Sequence, residues 1–403
     1  MNGFVASPEP PGVACAFPPN RSSALERCDR VDPRHYAATR NHLHGAVSGL
    51  SPYITHGLIT IPEVLERTSS RHALCWQDKF VFELGWREYF HHAWGHLGER
   101  IWGPARPLPA PATAYHASLP EDVTRAATGV EVVDQSIIQL YRSGYLHNHQ
   151  RMWLASYLVH LRKIDWRAGA RWMYGHLLDG DLASNTLSWQ WVAGSWTGKP
   201  YLFNAENVAK YSPRGWPGAR NAGTAIDRSY AELERVAASA FDVGPERSRS
   251  SLASDVEPAL FSLPPPESDL RLADEADMAG ARWLVHPWSL HVPEGSPEQA
   301  VGLIVTEFHT AYPWSAMRWH WVLVAMTQAS RAVLIGTRDE LLARLAPHAT
   351  RLHAIETLNP FYRDVIASLG QRTPPPRAFP DPQRLHRSFT SFWHAISKGS
   401  FPL

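Results

Sequence analysis

Seventeen of the 403 residues are tryptophan, and no other feature limits the possible folds as strongly. Each indole brings a large apolar surface and an N–H that needs a partner once buried, so a chain this rich in Trp must build deep cores. The densest stretch is residues 77–98, where Phe80, Phe82, Leu84, Trp86, Phe90 and Trp94 crowd a helical pattern. That spacing predicts a helix covered on much of its circumference.

With 39 Lys and Arg against 38 Asp and Glu, and 44% apolar residues, the composition is that of a globular chain of two or three domain lengths. It excludes disorder and a coiled coil. Residues 1–220 hold 22 basic against 18 acidic side chains, and residues 221–403 hold 17 against 20. This mild asymmetry permits a local anion-binding patch but does not by itself argue for nucleic acid. Cys15, Cys28 and Cys75 are too few for a disulfide framework, a four-thiolate zinc site or an iron–sulfur cluster; free thiols in a reducing compartment are expected. No apolar run approaches the roughly 18 residues that cross a bilayer, and no basic-then-apolar leader is present. The expectation is a cytoplasmic protein without a membrane partner.

Pro8, Pro10, Pro11, Pro18 and Pro19 make residues 1–20 an irregular leader. Residues 21–235 read as helical: Leu154, Leu158 and Leu161 fall at helical spacing, and Asp165 precedes residues 166–178 as a cap. Ser248, Ser250, Ser251 and Ser254, then the triple proline at 264–266, mark 236–270 as a linker. Beyond it, in 271–403, the period changes. Short apolar runs at 283–285, 302–308, 332–335 and 351–355 alternate with amphipathic stretches at 315–329 and 339–346, which predicts βα units on a parallel sheet. The expected fold class is multidomain α and α/β, with an all-helical domain followed by a smaller Rossmann-like one.

The chemistry is concentrated in residues 179–191, where Asp179-Gly180-Asp181 is followed by Ser184, Asn185, Trp189 and Trp191. An Asp-Gly-Asp loop offers acceptors for ribose hydroxyls or a ring N–H, and the amide of Asn185, one helical turn on, can face the same ligand. A solvated loop whose Asp caps another core helix accounts for the same residues. Glu83, Trp86 and Arg87 share one helix, where Glu83 and Arg87 can equally form a plain ion pair. Around Arg151 and Met152, His147 and His149 lack a third ligand at a useful spacing, and no metal site is expected.

In chain order, these motifs resemble the FAD-binding helical domain of the cryptochrome/photolyase family, from about residue 36 to 211. Ser48-Gly49-Leu50-Ser51-Pro52-Tyr53 with Gly57 is similar to the loop that binds the flavin diphosphate, and Tyr36 and Arg40 match an aromatic and a basic position of the same region. Residues 83–89 resemble the helix that lines the lesion pocket. Residues 144–148, with Arg151 and Met152, resemble the next pocket helix, and residues 179–185 the isoalloxazine loop.

The resemblance implies FAD as cofactor, UV-damaged DNA as partner and a monomeric lyase that repairs cyclobutane pyrimidine dimers in blue light by electron transfer from reduced FAD. It implies that Tyr36, Ser48, Gly49, Leu50, Ser51, Arg151, Asp179, Gly180, Asp181 and Asn185 hold the flavin. Glu83, Asn148, Met152 and Asn185 form the catalytic set, and Arg40, Glu83, Trp86, Arg87, Asn148 and Trp191 meet the DNA and its flipped lesion. Trp189 and Trp166 match an electron-transfer chain, with Tyr115 taken as its outermost member and Trp102 as the next candidate. Relatives that repair (6-4) photoproducts carry histidines where this chain has Asn148 and Met152, which favours the cyclobutane substrate. A photoreceptor without repair activity and (6-4) repair are the alternatives. Two features depart from the family: Tyr145 stands where dimer-repairing relatives commonly have Trp, and the α/β segment comes last instead of first. We expect it to dock in place of the family's N-terminal domain. It carries neither GxGxxG nor a P-loop, and no antenna chromophore is expected in it.

Overall fold

The computed structural model describes residues 16–246, 255–268, 270–292, 296–399 and 401. Most of the proline-rich leader, with Cys15, and the serines at 248, 250, 251 and 254 lie outside the described residues. Among the described residues no helix is long and apolar enough to cross a membrane.

From Arg21 to Ala238 the named elements are all helices or helical turns. Short polar side chains set their starts: Asn20 accepts from the Ser23 amide, Asp32 from Arg34 and His35, and Thr60 with Glu63 closes a capping box. The Lys79–Leu97 helix buries Phe80, Val81, Tyr89, Phe90 and Trp94. The helix expected over 166–178 runs Trp166–His176, because the backbone turns extended at Leu177 into the Asp-Gly-Asp loop. The spacing of Leu154, Leu158 and Leu161 spans the Asn148–Ser156 helix and a π-helical turn, Tyr157–Leu161, whose five residues are all buried.

The boundaries differ from expectation in three places. Phe17 and Asn20 belong to the helical core and its first cap, so the leader is tied down before residue 20. The last helix, Tyr230–Ala238, crosses the expected boundary at 235. The described parts of the linker are packed, not free: the Asp255 amide donates to Arg125 O (3.0 Å), His176 Nε2 lies 3.2 Å from Glu257, and Leu260–Phe261 forms strand β1.

The α/β region is a five-stranded parallel sheet made of β2 (Trp283–Val285), β3 (Ala300–Val305), β5 (Ala332–Gly336), β6 (His353–Ile355) and β7 (Gln371–Thr373), in the spatial order β5-β3-β2-β6-β7. A short strand β4, Trp314–Ser315, pairs antiparallel with β1. The apolar run expected as a strand over 302–308 ends at Val305, and Thr306–Ala311 is helical. Strand β7 is exposed and polar at every residue, as suits a sheet edge. The strand order reverses between β2 and β6, where a doubly wound sheet opens a ligand crevice. Here His286 reaches the Ile355 carbonyl (2.8 Å), and Trp288, Phe308 and Tyr362 pack edge to face around it.

The connection from β2 to β3 has one 3₁₀ turn among its described residues. Instead of crossing as a helix, it lies on the helical region: His56 Nδ1 meets Pro287 O, and the Leu290 amide donates to His56 O (2.9 Å). Gly57, at φ +65°, lets it approach, since a Cβ there would stand 2.7 Å from Trp288 O. Gly57→Ala therefore combines left-handed strain with a backbone clash. It is expected to cost about 1–3 kcal/mol, read as a lower urea midpoint at unchanged slope.

After β7 the chain leaves the sheet. Residues 374–399 return to the helical region, where the Phe389–Ile396 helix packs on Lys79–Leu97 and Glu88 accepts from the Ala378 and Phe379 amides. The expected α/β span of 271–403 is thus a sheet followed by a helical return. One apolar core runs unbroken from Phe17, Tyr53 and Phe80 through Leu284, Ile304 and Trp319; a second, around Trp153, Trp166 and Ile226, draws its buried residues wholly from the helical region.

Candidate functional site

A cavity of about 710 Å³ opens in the helical region, within the range that holds a sizeable ligand. Its main walls are the 47–51 turn, the Lys79–Leu97 helix, the start of the Asn148–Ser156 helix, and the loop and helix from Asp179 to Val192, with Tyr36 and Arg40 closing one side and Met173 and Leu177 another. The structure brings together Tyr36, Arg40, Ser48, Gly49, Leu50, Ser51, Glu83, Trp86, Arg87, Asn148, Arg151, Met152, Asp179, Gly180, Asp181, Asn185, Trp189 and Trp191. Gly57 is not among them, because it faces Trp288.

The Asp-Gly-Asp loop is anchored by charge. Asp179, its side chain 2% exposed, takes a two-pronged contact from Arg151 Nη2 (3.0 and 2.8 Å). Asp181 Oδ1 accepts from the Ser184 amide and so caps the Leu182–Ala193 helix, while its Oδ2 meets His91 Nε2 at 2.9 Å and Arg87 at 3.5 Å. Burial works against the Asp181 carboxylate, yet His91 and Arg87 hold its pKa well below the usual range. The Asn185 amide donates to Ala170 O at 2.8 Å; that donation orients the group and leaves Oδ1 as an acceptor for the cavity.

The opposite wall differs from expectation in its pairing. Arg87 turns to Asp181 and not to Glu83, whose ion pair is with Arg40 (3.4 Å). Arg87, expected at DNA, thus reaches the Asp-Gly-Asp loop from the cavity wall with its side chain still partly exposed. Burial pushes the Glu83 carboxyl up against the pull of Arg40. Asn148 Nδ2 lies 3.3 Å from Met152 Sδ. His147 caps its helix through Nδ1, which accepts from the His149 amide, while its Nε2 meets Arg40 O (2.9 Å). Burial lowers His147 and His149 to about 4, so both are neutral at pH 7. His149 Nδ1 and Ser184 Oγ are buried in the wall without a partner among the described residues.

Trp189 lies on the cavity wall, and its ring covers Gly169, where a Cβ would collide with it. Trp166, one turn away on that helix, is fully buried. The indole stacked on Trp166 is Trp102, with ring centres 6.3 Å apart and planes 9° apart; Tyr312 stacks on Trp102 in turn at 5.9 Å. Tyr115, expected as the outermost member, instead accepts from the Ala110 amide through its hydroxyl (3.4 Å). Sequence reasoning also missed His91 and the distant Arg318. His91 was legible, since it falls four residues after Arg87 on the same helix face.

Residues 80–217 match the family model described as the FAD binding domain of DNA photolyase. Over this domain the chain is similar to proteins of the photolyase/cryptochrome family. It is 34% identical over 214 residues to a deoxyribodipyrimidine photo-lyase of Synechococcus, covering 48% of this chain and 43% of that protein. It is 33% identical over 176 residues to a cryptochrome DASH of Natronomonas pharaonis, covering 40% and 35%. The crystal structure of a class III photolyase from Agrobacterium tumefaciens is similar at 26% identity and a TM-score of 0.46, covering 57% of this chain and 58% of that one. The chain thus spans less than half the length of these curated relatives.

The wall suits FAD. Its acceptors, Asp181 and the Asn185 oxygen, match a flavin edge with N–H groups, the orphaned Ser184 hydroxyl has spare hydrogen-bonding capacity there, and the guanidinium of Arg151 lies beside them.

Proposed function

We propose that this chain binds FAD in the cavity and repairs cyclobutane pyrimidine dimers in DNA under blue light. The observation that carries the reading is that one cavity is walled both by the Asp179–Asn185 acceptors and by Glu83, Trp86, Asn148, Met152 and Trp191, a polar set for a flavin beside a mixed polar and flat apolar set for two fused pyrimidines of one strand. When bound, the reduced flavin supplies the light-driven electron that splits the dimer and regains it afterwards. The protein holds the lesion out of the base stack. Trp86 and Trp191 offer ring faces, each worth about 1–3 kcal/mol against a stacked base, and Glu83 offers a carboxyl whose raised pKa suits it to bond a base edge. Neutral His147 and His149 favour the cyclobutane dimer, because (6-4) repair calls on a histidine to give a proton.

The test is dimer loss from irradiated oligothymidylate with flavin-loaded protein in blue light. Loss above the dark control is expected; none, with reduced flavin bound, overturns the repair reading and leaves the photoreceptor one. Glu83→Ala is expected to weaken lesion binding by about 1–3 kcal/mol, the cost of leaving buried polar groups unpaired, while the flavin absorbance stays. Unchanged binding in a filter or gel-shift titration contradicts this role.

For electron entry into oxidised flavin, we propose Trp189, Trp166 and Trp102 in that order, in place of a chain ending at Tyr115. Trp102→Phe should lose photoreduction and Tyr115→Phe should retain it, followed by bleaching of the oxidised flavin band.

A further inference from the structure

We propose that Arg318, contributed by the α/β region, positions the Asp-Gly-Asp loop and raises the reduction potential of the flavin held there. This rests on the flavin reading above.

Arg318 lies in the first turn of the Ala316–Ala329 helix and is fully buried. Its Nη1 donates to Tyr174 O (2.7 Å) and its Nη2 to Gly180 O (2.6 Å). The guanidinium sits over the rings of Trp314 (4.1 Å) and Tyr174 (4.5 Å). A Cβ on Gly180 would collide with it, so loop and cation are in van der Waals contact. Two further buried side chains complete the hold: His56 Nε2 lies 2.8 Å from Leu178 O, and Thr55 Oγ1 donates to Asp179 O (3.3 Å). Three successive carbonyls, those of Leu178, Asp179 and Gly180, are thus taken from outside the cavity. That leaves the carboxylates of Asp179 and Asp181 to Arg151 and Arg87 on its wall and to His91 behind it.

The charge is as informative as the geometry. Asp179 is paired with Arg151, and Asp181 with Arg87 and His91. Arg318 has only carbonyls and ring faces as partners, with no carboxylate in ion-pair range among the described residues. The loop therefore collects three guanidinium groups against two carboxylates. A guanidinium does not discharge in a protein, and in a dry environment its field is weakly screened. Two electrons and one proton turn the neutral oxidised flavin ring into its anionic reduced form, and the unmatched cation favours that product.

Arg318→Met and Arg318→Lys separate charge from hydrogen bonding. The midpoint potential of bound flavin is read by spectroelectrochemistry, and flavin release by fluorescence. Arg318→Met should shift the equilibrium at least about tenfold toward oxidised flavin, equal to about 30 mV for a two-electron couple. Arg318→Lys, which keeps the charge but loses the fork, should hold the potential near the parent's and release flavin faster. An Arg318→Met protein that keeps the parent potential and only melts earlier reduces Arg318 to scaffolding and overturns the proposal. If Arg318→Met fails to fold, Arg318→Lys decides: parent potential with faster release supports the proposal, and a fall in potential as large as tenfold despite the kept charge overturns it. A parent protein that stays colourless on reconstitution overturns the flavin reading and this inference together; a yellow parent with an unshifted Arg318→Met overturns this one alone.

Discussion

Arg151→Met is expected to empty the flavin site and to destabilise the helical region by about 3–5 kcal/mol, the range for breaking a buried ion pair from one side. Asp179 is almost wholly buried and takes both prongs of its contact from one guanidinium nitrogen. Without it, a carboxylate is left in the protein with no cation. The same guanidinium also holds Leu146 O through Nε (2.9 Å) and faces the Tyr145 ring at 5.4 Å, so the turn into the Asn148–Ser156 helix loosens as well. Arg151→Lys should fall between, since an ammonium restores charge without the planar fork. Urea melts and the flavin-to-protein absorbance ratio measure both effects. A yellow Arg151→Met protein with the parent's midpoint would show that the pair carries neither.

Phe389→Ala should have the next largest effect, about 3–5 kcal/mol of stability together with a loss of lesion affinity at unchanged flavin content. Phe389 is 3% exposed and stacks on Trp86 with ring centres 4.1 Å apart and planes 11° apart, while its edge contacts Phe82 at 4.6 Å. Trp86 lines the cavity, so the returning C-terminal helix backs the surface proposed for the flipped base. Removing the ring frees the indole to turn, and the affinity lost should not exceed the roughly 1–3 kcal/mol that one stacked base is worth. Phe389→Leu, which roughly keeps volume, should restore most stability and little of the affinity. Equal affinity in all three proteins would detach the C-terminal helix from the site.

The same helix explains Gly85. In the linear motif it is one residue among Glu83, Trp86 and Arg87; in three dimensions a Cβ there would run into the Trp393 ring. A residue that reads as part of a ligand pocket is needed by a helix 300 residues downstream.

Local features of the sequence were enough for the main helices, whereas the set of residues gathered on the cavity wall came from the family resemblance. Helical periodicity placed the Lys79–Leu97 helix to within two residues, and the cap at Asp181 and the acceptor spacing to Asn185 depend on a single turn of chain. Short-range rules hold because they involve backbone geometry and neighbours three or four residues apart. An apolar run, by contrast, cannot say where a buried strand gives way to a buried helix, so the run over 302–308 hides the change at Val305. Partner choice was beyond the sequence for the same reason. Arg87 had Glu83 one turn away yet found Asp181; Trp166 found Trp102; and Gly180 found Arg318 across 138 positions. Each of these depends on how the helical layers close on one another and on the sheet. Charge and ring contacts reward proximity in space, which only the assembled core determines.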